Sequence, residues 1–248
     1  MSDLFNNENS LDDLEAPLAD RMRPQSLDEV IGQNHLLGEK GPLQNMLTSG
    51  IFSSIILWGP PGVGKTTIAR LLADHSNSHF EQLSAIFTGV GDLKKVFEAA
   101  KFRRTNGHKS VIFVDEIHRF NKSQQDSFLP FLEDGTIILI GATTENPSFE
   151  LNPAILSRVQ VLVLERLNNT DLKKLLERAE GVLGSKINLD LDAKIELLKV
   201  ADGDGRALLN LIENIISWEI SNPITVKDLS VRLSKRLKKY DKKGEEHY

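Results

Sequence analysis

No stretch constrains this chain more than Gly59-Pro60-Pro61-Gly62-Val63-Gly64-Lys65-Thr66-Thr67. It follows the β-rich apolar run Ser54 to Trp58 and leads into Ile68-Ala69-Arg70-Leu71-Leu72-Ala73, a good helix former. The setting is strand, glycine loop, helix. Gly59, Gly62 and Gly64 admit backbone conformations closed to other residues, so successive N–H groups can converge on one point, where the helix start adds its positive end. Lys65 is then within reach of the β- and γ-phosphates of a nucleotide, and the Thr66 hydroxyl is the usual holder of Mg²⁺. The spacing of Gly59, four residues and Gly64-Lys65-Thr66 fits a phosphate-binding loop without a gap. The stretch is read as that loop, with ATP and Mg²⁺ as expected ligands, rather than as a glycine turn before an ordinary helix.

The rest of the chain supplies the fold that such a loop needs. Phe80 to Leu83 is a weak strand, and Val111-Ile112-Phe113-Val114, Ile137-Ile138-Leu139-Ile140 and Val161-Leu162-Val163-Leu164 are apolar ones. Helical patterns separate them, over Asp92 to Arg103 and over Ser123 to Leu132. Apolar strands alternating with helices predict an α/β fold, a parallel sheet with helices on both faces. From Thr170 the texture becomes a series of amphipathic helices, which predicts a small all-helical domain. The expected organisation is a flexible acidic tail over 1–16, a nucleotide-binding α/β domain over 17–167, a helical lid over 168–240 and the start of a linker over 241–248. Within Leu27 to Gln33, Val30 and Ile31 offer apolar side chains for a base pocket.

Charge and composition exclude several classes. Asp3, Glu8, Asp12, Asp13, Glu15 and Asp20 hold six acidic groups near the start, and the remaining 29 acidic and 30 basic side chains nearly cancel. A basic stretch, Arg232 to Lys243, could meet nucleic-acid phosphate but is read first as a solvated helix face or linker. There is no cysteine, hence no disulfide framework and no thiolate metal site. Neither a leader nor a membrane-spanning run is legible, so a soluble, cytoplasmic protein is expected.

Asp115-Glu116 ends an apolar strand, where an α/β sheet presents its chemistry. Asp115 is assigned to Mg²⁺, through water, and Glu116 to the water that attacks the γ-phosphate. A nucleotide-gated switch needs only the metal carboxylate, so the second one favours hydrolysis. Thr144, or its neighbour Thr143, ends the strand before it and has a hydroxyl for the same water. On the residues alone, Arg158 and Arg206 are equally readable as surface charges.

Together, the glycine loop, Val114-Asp115-Glu116, Thr144, Ser157-Arg158, Gly203-Asp204-Gly205-Arg206 and the helical lid resemble an AAA+ ATPase of the clamp-loader type. Arg21-Met22-Arg23-Pro24, the run Asp115 to Asp126 and the run Gly141 to Leu151 narrow the resemblance to the replication-associated recombination protein A family, relatives of Werner helicase-interacting protein. The resemblance implies a sensor role for Thr144, nucleotide contact for Arg206, and an arginine finger, Arg158, offered in trans to a neighbouring subunit. It implies adenine contact for Val30 and Ile31. It further implies action at stalled forks, with single-stranded, gapped or forked DNA and single-strand-binding protein as partners.

Three departures accompany it. Val63 stands where relatives commonly have threonine, and Ala207 where they commonly have a second arginine. The family also continues past Tyr248 into a domain that assembles the homo-oligomer, so this chain alone is expected to be largely monomeric. Asp3-Leu4-Phe5 resembles the end of a sliding-clamp docking peptide, with Leu4 and Phe5 as the pocket-filling pair. The run Arg119 to Asp126 is open to DNA or to an adjacent subunit. The alternatives to a fork-acting ATPase are a clamp-loader subunit and a non-catalytic scaffold that recruits repair proteins.

Overall fold

The computed structural model describes residues 16–218 and 222–233. The chain divides into two compact units, Pro24–Arg166 and a second made of the segment up to Arg23 with everything from Leu167 on. Leu4, Phe5 and the basic residues from Lys235 to Lys243 lie outside the described residues.

The first unit is built on five strands, β1 (Ile55–Trp58), β2 (His79–Ser84), β3 (Ser110–Asp115), β4 (Ile138–Thr143) and β5 (Gln160–Val163). They form one sheet in the order β2-β3-β4-β1-β5, with every pair parallel. Parallel neighbours require crossovers. Helix α1 (Lys65–His75) makes the first, α2 (Val90–Thr105) the second, and pairs of short helices make the others. Successive side chains of a strand point to opposite faces, so each inner strand feeds two cores. Ile55, Leu57 and Phe113 join Ile68 and Leu72 on one side, while Ile56, Ile112 and Val114 join Leu93, Phe97 and Phe128 on the other. Burying each such side chain stabilises the unit by roughly 1.5–3 kcal/mol relative to exposure.

One expected helix is two. The pattern over Ser123 to Leu132 divides into Lys122–Asp126 and Leu129–Glu133. Pro130 has no N–H for the Asp126 carbonyl, and a proline is accommodated in the first turn of a new helix. Phe128, between the two pieces, is fully buried with its ring 5.0 Å from that of Phe97.

The second unit is helical, with α3 (Asn169–Leu183), α4 (Leu191–Ala201) and α5 (Gly205–Ile216) around one core. Asn168, Asp190 and Asp204 cap the three N-termini by accepting backbone N–H groups. Thr225 and Asp228 form a reciprocal cap of their own. The limit at Pro17 requires correction, because the helix Leu18–Arg21 belongs here rather than with the sheet. Leu18 and Met22, four residues apart on one helical face, are buried among Leu172, Leu176 and Ile212, and the Leu18 N–H donates to Glu213 at 2.9 Å. No helix among the described residues is long and apolar enough to cross a membrane.

Candidate active site

All five strands run the same way, so the loops that follow β1, β3 and β4 emerge from one edge of the sheet, with β4 between the other two. At ordinary strand spacing the tips of β1 and β3 are about 10 Å apart, the scale of a triphosphate and its metal. The glycine loop thus faces Asp115-Glu116 across the end of β4.

The loop has the backbone that its glycines predict, with φ of 69° at Gly62 and 98° at Gly64, and α1 begins at once. Gly59 has a different reason. A Cβ there would stand 2.5 Å from the Leu164 carbonyl oxygen, so the loop leaves the sheet pressed against the end of β5. The Gly59 N–H also donates to Thr143 O at 3.1 Å. Lys65 is only 8% exposed, and its ammonium donates to the carbonyls of Gly59 and Pro60, each at 2.7 Å. Its charge is therefore held at the mouth of the loop by those two carbonyls. Thr66 and Thr67 are half-buried in the first turn of α1, whereas Val63 is buried in the core. Val63 therefore packs inward from the loop.

Asp115, half-buried, is the last residue of β3. Glu116 then turns the chain with φ 53° and ψ 46°, a left-handed conformation rare for a side chain of its kind. Buried Ile117 seats that turn, and Gly141 makes the room: a Cβ on it would lie 3.0 Å from the Ile117 Cδ1. The Glu116 carboxylate lies 3.3 Å from Nε2 of His118, whose Nδ1 is 2.8 Å from the Thr143 hydroxyl. The sequence reading assigned His118 no role, although it stands inside the long acidic motif.

The two threonines separate. Thr143 is fully buried, and its hydroxyl also accepts the Glu145 N–H at 3.0 Å. Thr144 is half-buried just beyond the strand, the position at the tip. Val30 and Ile31 are half-buried, and their loop is pinned by a residue the sequence reading passed over. Gln33, with φ 60°, exchanges two hydrogen bonds with the Glu165 backbone, 2.7 Å to its carbonyl and 3.0 Å from its N–H. This clamp fastens the loop to the C-terminal end of β5, beside the glycine loop. A lone glutamine in a loop carries no signal that would have singled it out.

Arg158 stands apart. Its strand, β5, starts at Gln160 opposite Ile55, the first residue of β1, so Arg158 lies at the opposite edge of the sheet from the glycine loop. Four residues of strand separate the two edges by about 13 Å. The guanidinium donates to Ala154 O at 2.7 Å and pairs with Glu133 at 2.5 Å. Arg206 is an exposed residue at the start of α5 in the helical unit, where Ala207 donates its N–H to Asp204.

The family described as ATPase family associated with various cellular activities (AAA) matches residues 55–167, and the AAA C-terminal domain matches residues 183–248. Replication-associated recombination protein A of Coxiella burnetii is 46% identical over 94% of this chain and 54% of its own length. That of Escherichia coli K12 is 42% identical with the same coverage. ATPase WRNIP1 of Dictyostelium discoideum is 45% identical over 81% of this chain and 23% of its own length. The chain spans about half the length of the recombination proteins it matches. Among solved structures, the Thermotoga maritima RuvB Holliday junction branch migration motor superposes with a TM-score of 0.65 at 28% identity, over 77% of this chain and 64% of that one. The chain therefore belongs to the AAA+ ATPases, in the family of replication-associated recombination protein A.

Proposed function

We propose that this chain binds and hydrolyses ATP and that it acts on DNA in replication, recombination and repair. The observation that carries the chemistry is the convergence of the glycine loop and the Asp115-Glu116 tip on one edge of the sheet, on either side of the β4 tip. The loop N–H groups and Lys65 hold the phosphates. Glu116 takes a proton from water as its oxygen attacks the γ-phosphorus, the bond to the β,γ-bridging oxygen breaks, and ADP and phosphate leave. Thr66 and Asp115 are hard oxygen donors suited to Mg²⁺, which when bound neutralises charge on the phosphates. Thr144 orients the same water, Val30 and Ile31 contact the base, and Arg206 contacts the nucleotide. Arg158, too far along the sheet to serve its own loop, completes the site of a neighbouring copy in a homo-oligomer.

The test of the chemistry is a separation of defects. Lys65→Ala abolishes tight ATP binding, whereas Glu116→Gln retains binding and loses hydrolysis by roughly two to four orders of magnitude. Wild-type turnover by Glu116→Gln would remove Glu116 from the base role. The DNA reading rests on the relatives named above. ATP turnover measured without DNA and with single-stranded, blunt duplex and gapped fork DNA is expected to rise most with the single-stranded and gapped forms, and a flat response removes that reading. Single-strand-binding protein and the sliding clamp, the latter through Leu4 and Phe5, are the proposed protein partners.

A further inference from the structure

Beside Glu116 stands a histidine with one ring nitrogen hydrogen-bonded to Thr143 and the other 3.3 Å from the carboxylate. We propose that His118 is a positioning residue that donates its Nε2 proton to the Glu116 carboxylate and holds that base in its working orientation, in the tautomer selected by Thr143. The proposal rests on the reading that this chain hydrolyses ATP. It adds to it the group that aims the base.

The argument is one of donors and acceptors. The Thr143 hydroxyl has one proton, and its oxygen already accepts the Glu145 N–H at 3.0 Å. The proton has two available acceptors, His118 Nδ1 at 2.8 Å and the Glu145 carbonyl at 3.3 Å. Given to the nearer one, it makes Nδ1 the acceptor, so the neutral ring carries its proton on Nε2, which lies 3.3 Å from Glu116 Oε2. Given to the farther one, it leaves a neutral ring with an unprotonated Nε2 facing a carboxylate, two lone pairs opposed. The first arrangement alone satisfies all three groups with a neutral ring.

The surroundings make the arrangement stiff. The His118 side chain is 8% exposed and that of Glu116 is 35% exposed, so the ring is held while the carboxylate still meets solvent. Thr143 is fully buried, and its carbonyl accepts the Gly59 N–H. The base is thereby tied through His118 and β4 to the first residue of the phosphate loop. With Oε2 engaged by the imidazole, Oε1 is left to take the water proton, and a base misdirected by about 1 Å costs on the order of a hundredfold in rate.

Two substitutions distinguish aiming from mere support. A glutamine amide nitrogen reaches the place of Nε2, while an asparagine amide nitrogen reaches only that of Nδ1. At saturating ATP, His118→Asn is expected to lower kcat roughly tenfold to a hundredfold, with KM and the affinity for a fluorescent ATP analogue changed less than about twofold. His118→Gln is expected to recover to within about fivefold of wild type at the same melting temperature. An unchanged or faster His118→Asn protein, or a folded His118→Gln protein as slow as it, overturns the proposal. Should either variant unfold, ¹⁵N spectra of the imidazoles in the unsubstituted chain decide: the Nε2–H tautomer at His118 is expected, and the Nδ1–H tautomer overturns it. A wild-type chain without ATP turnover under any DNA condition removes the hydrolysis reading and the aiming role with it, while the tautomer still reports whether the network exists.

Discussion

Glu116 meets two demands that oppose each other. The proposed hydrolysis needs its carboxylate at the strand tip, yet its backbone is left-handed at φ 53°, which costs a residue with a side chain about 1–2 kcal/mol. A glycine designed for stability alone would sit there. Glu116→Gly is accordingly expected to be about 1 kcal/mol more stable than Glu116→Ala in urea unfolding while remaining inactive in hydrolysis. Equal midpoints for the two would show that the turn is unstrained. Arg158 poses the reverse case, a reactive group held in a shallow place. Its pairing with Glu133 is between partly exposed side chains, a kind of contact worth about 0–1 kcal/mol, so little opposes its departure to another partner. Neither the turn at Glu116 nor the partner of Arg158 was legible in the sequence, because both depend on which elements the fold brings together.

At the scale of elements, the junction of β1 and α1 is decided by backbone contact. Gly59 was read from the sequence as a residue needed for conformational freedom, but its positive-φ neighbours are Gly62 and Gly64, and Gly59 itself is needed for space. Gly59→Ala places a methyl against the Leu164 carbonyl, which cannot rotate away as a side chain tip would. The loss expected is about 1–3 kcal/mol in unfolding free energy together with weakened ATP binding. Calorimetry and nucleotide titration check both, and a variant that melts and binds like wild type would mean that the loop and β5 are not pressed together. Val63→Thr provides the contrast, because this change places a hydroxyl in an apolar core and leaves the loop geometry alone. The inner strands were legible as continuous apolar runs because both of their faces are covered. The split of the Ser123 to Leu132 pattern was not, since apolar periodicity persists across the break that Pro130 imposes.

For the whole molecule, the position of Arg158 sets the expectation. Arg158 lies about 13 Å along the sheet from its own phosphate loop, which fits the role proposed for it in another copy's site. Arginine fingers are worth about 10³ to 10⁵ in phosphoryl transfer, so turnover per subunit should rise with protein concentration. Mixing Arg158→Ala with Lys65→Ala should restore measurable ATPase where the intact pocket of one meets the finger of the other. Constant turnover over a wide dilution series, with no rescue on mixing, would place Arg158 outside the mechanism.

Local chemistry was enough to place the glycine loop between strand and helix, the acidic strand tip and the alternation of strands with helices, because each is a property of consecutive residues: glycine conformation, a carboxylate pair, apolar periodicity. The same holds for the caps, where a side chain reaches a backbone group three positions on. Tertiary structure alone decided that Leu18 and Met22 close the helical core, that Gln33 pins the loop of Val30 and Ile31 to the end of β5, and that Thr143 is spent internally while Thr144 remains at the tip. It alone set His118 between Thr143 and Glu116. The physical reason is common to all of these. Burial and hydrogen bonding between residues far apart in the chain depend on which faces and edges the sheet order makes adjacent, and no short window of sequence contains that order.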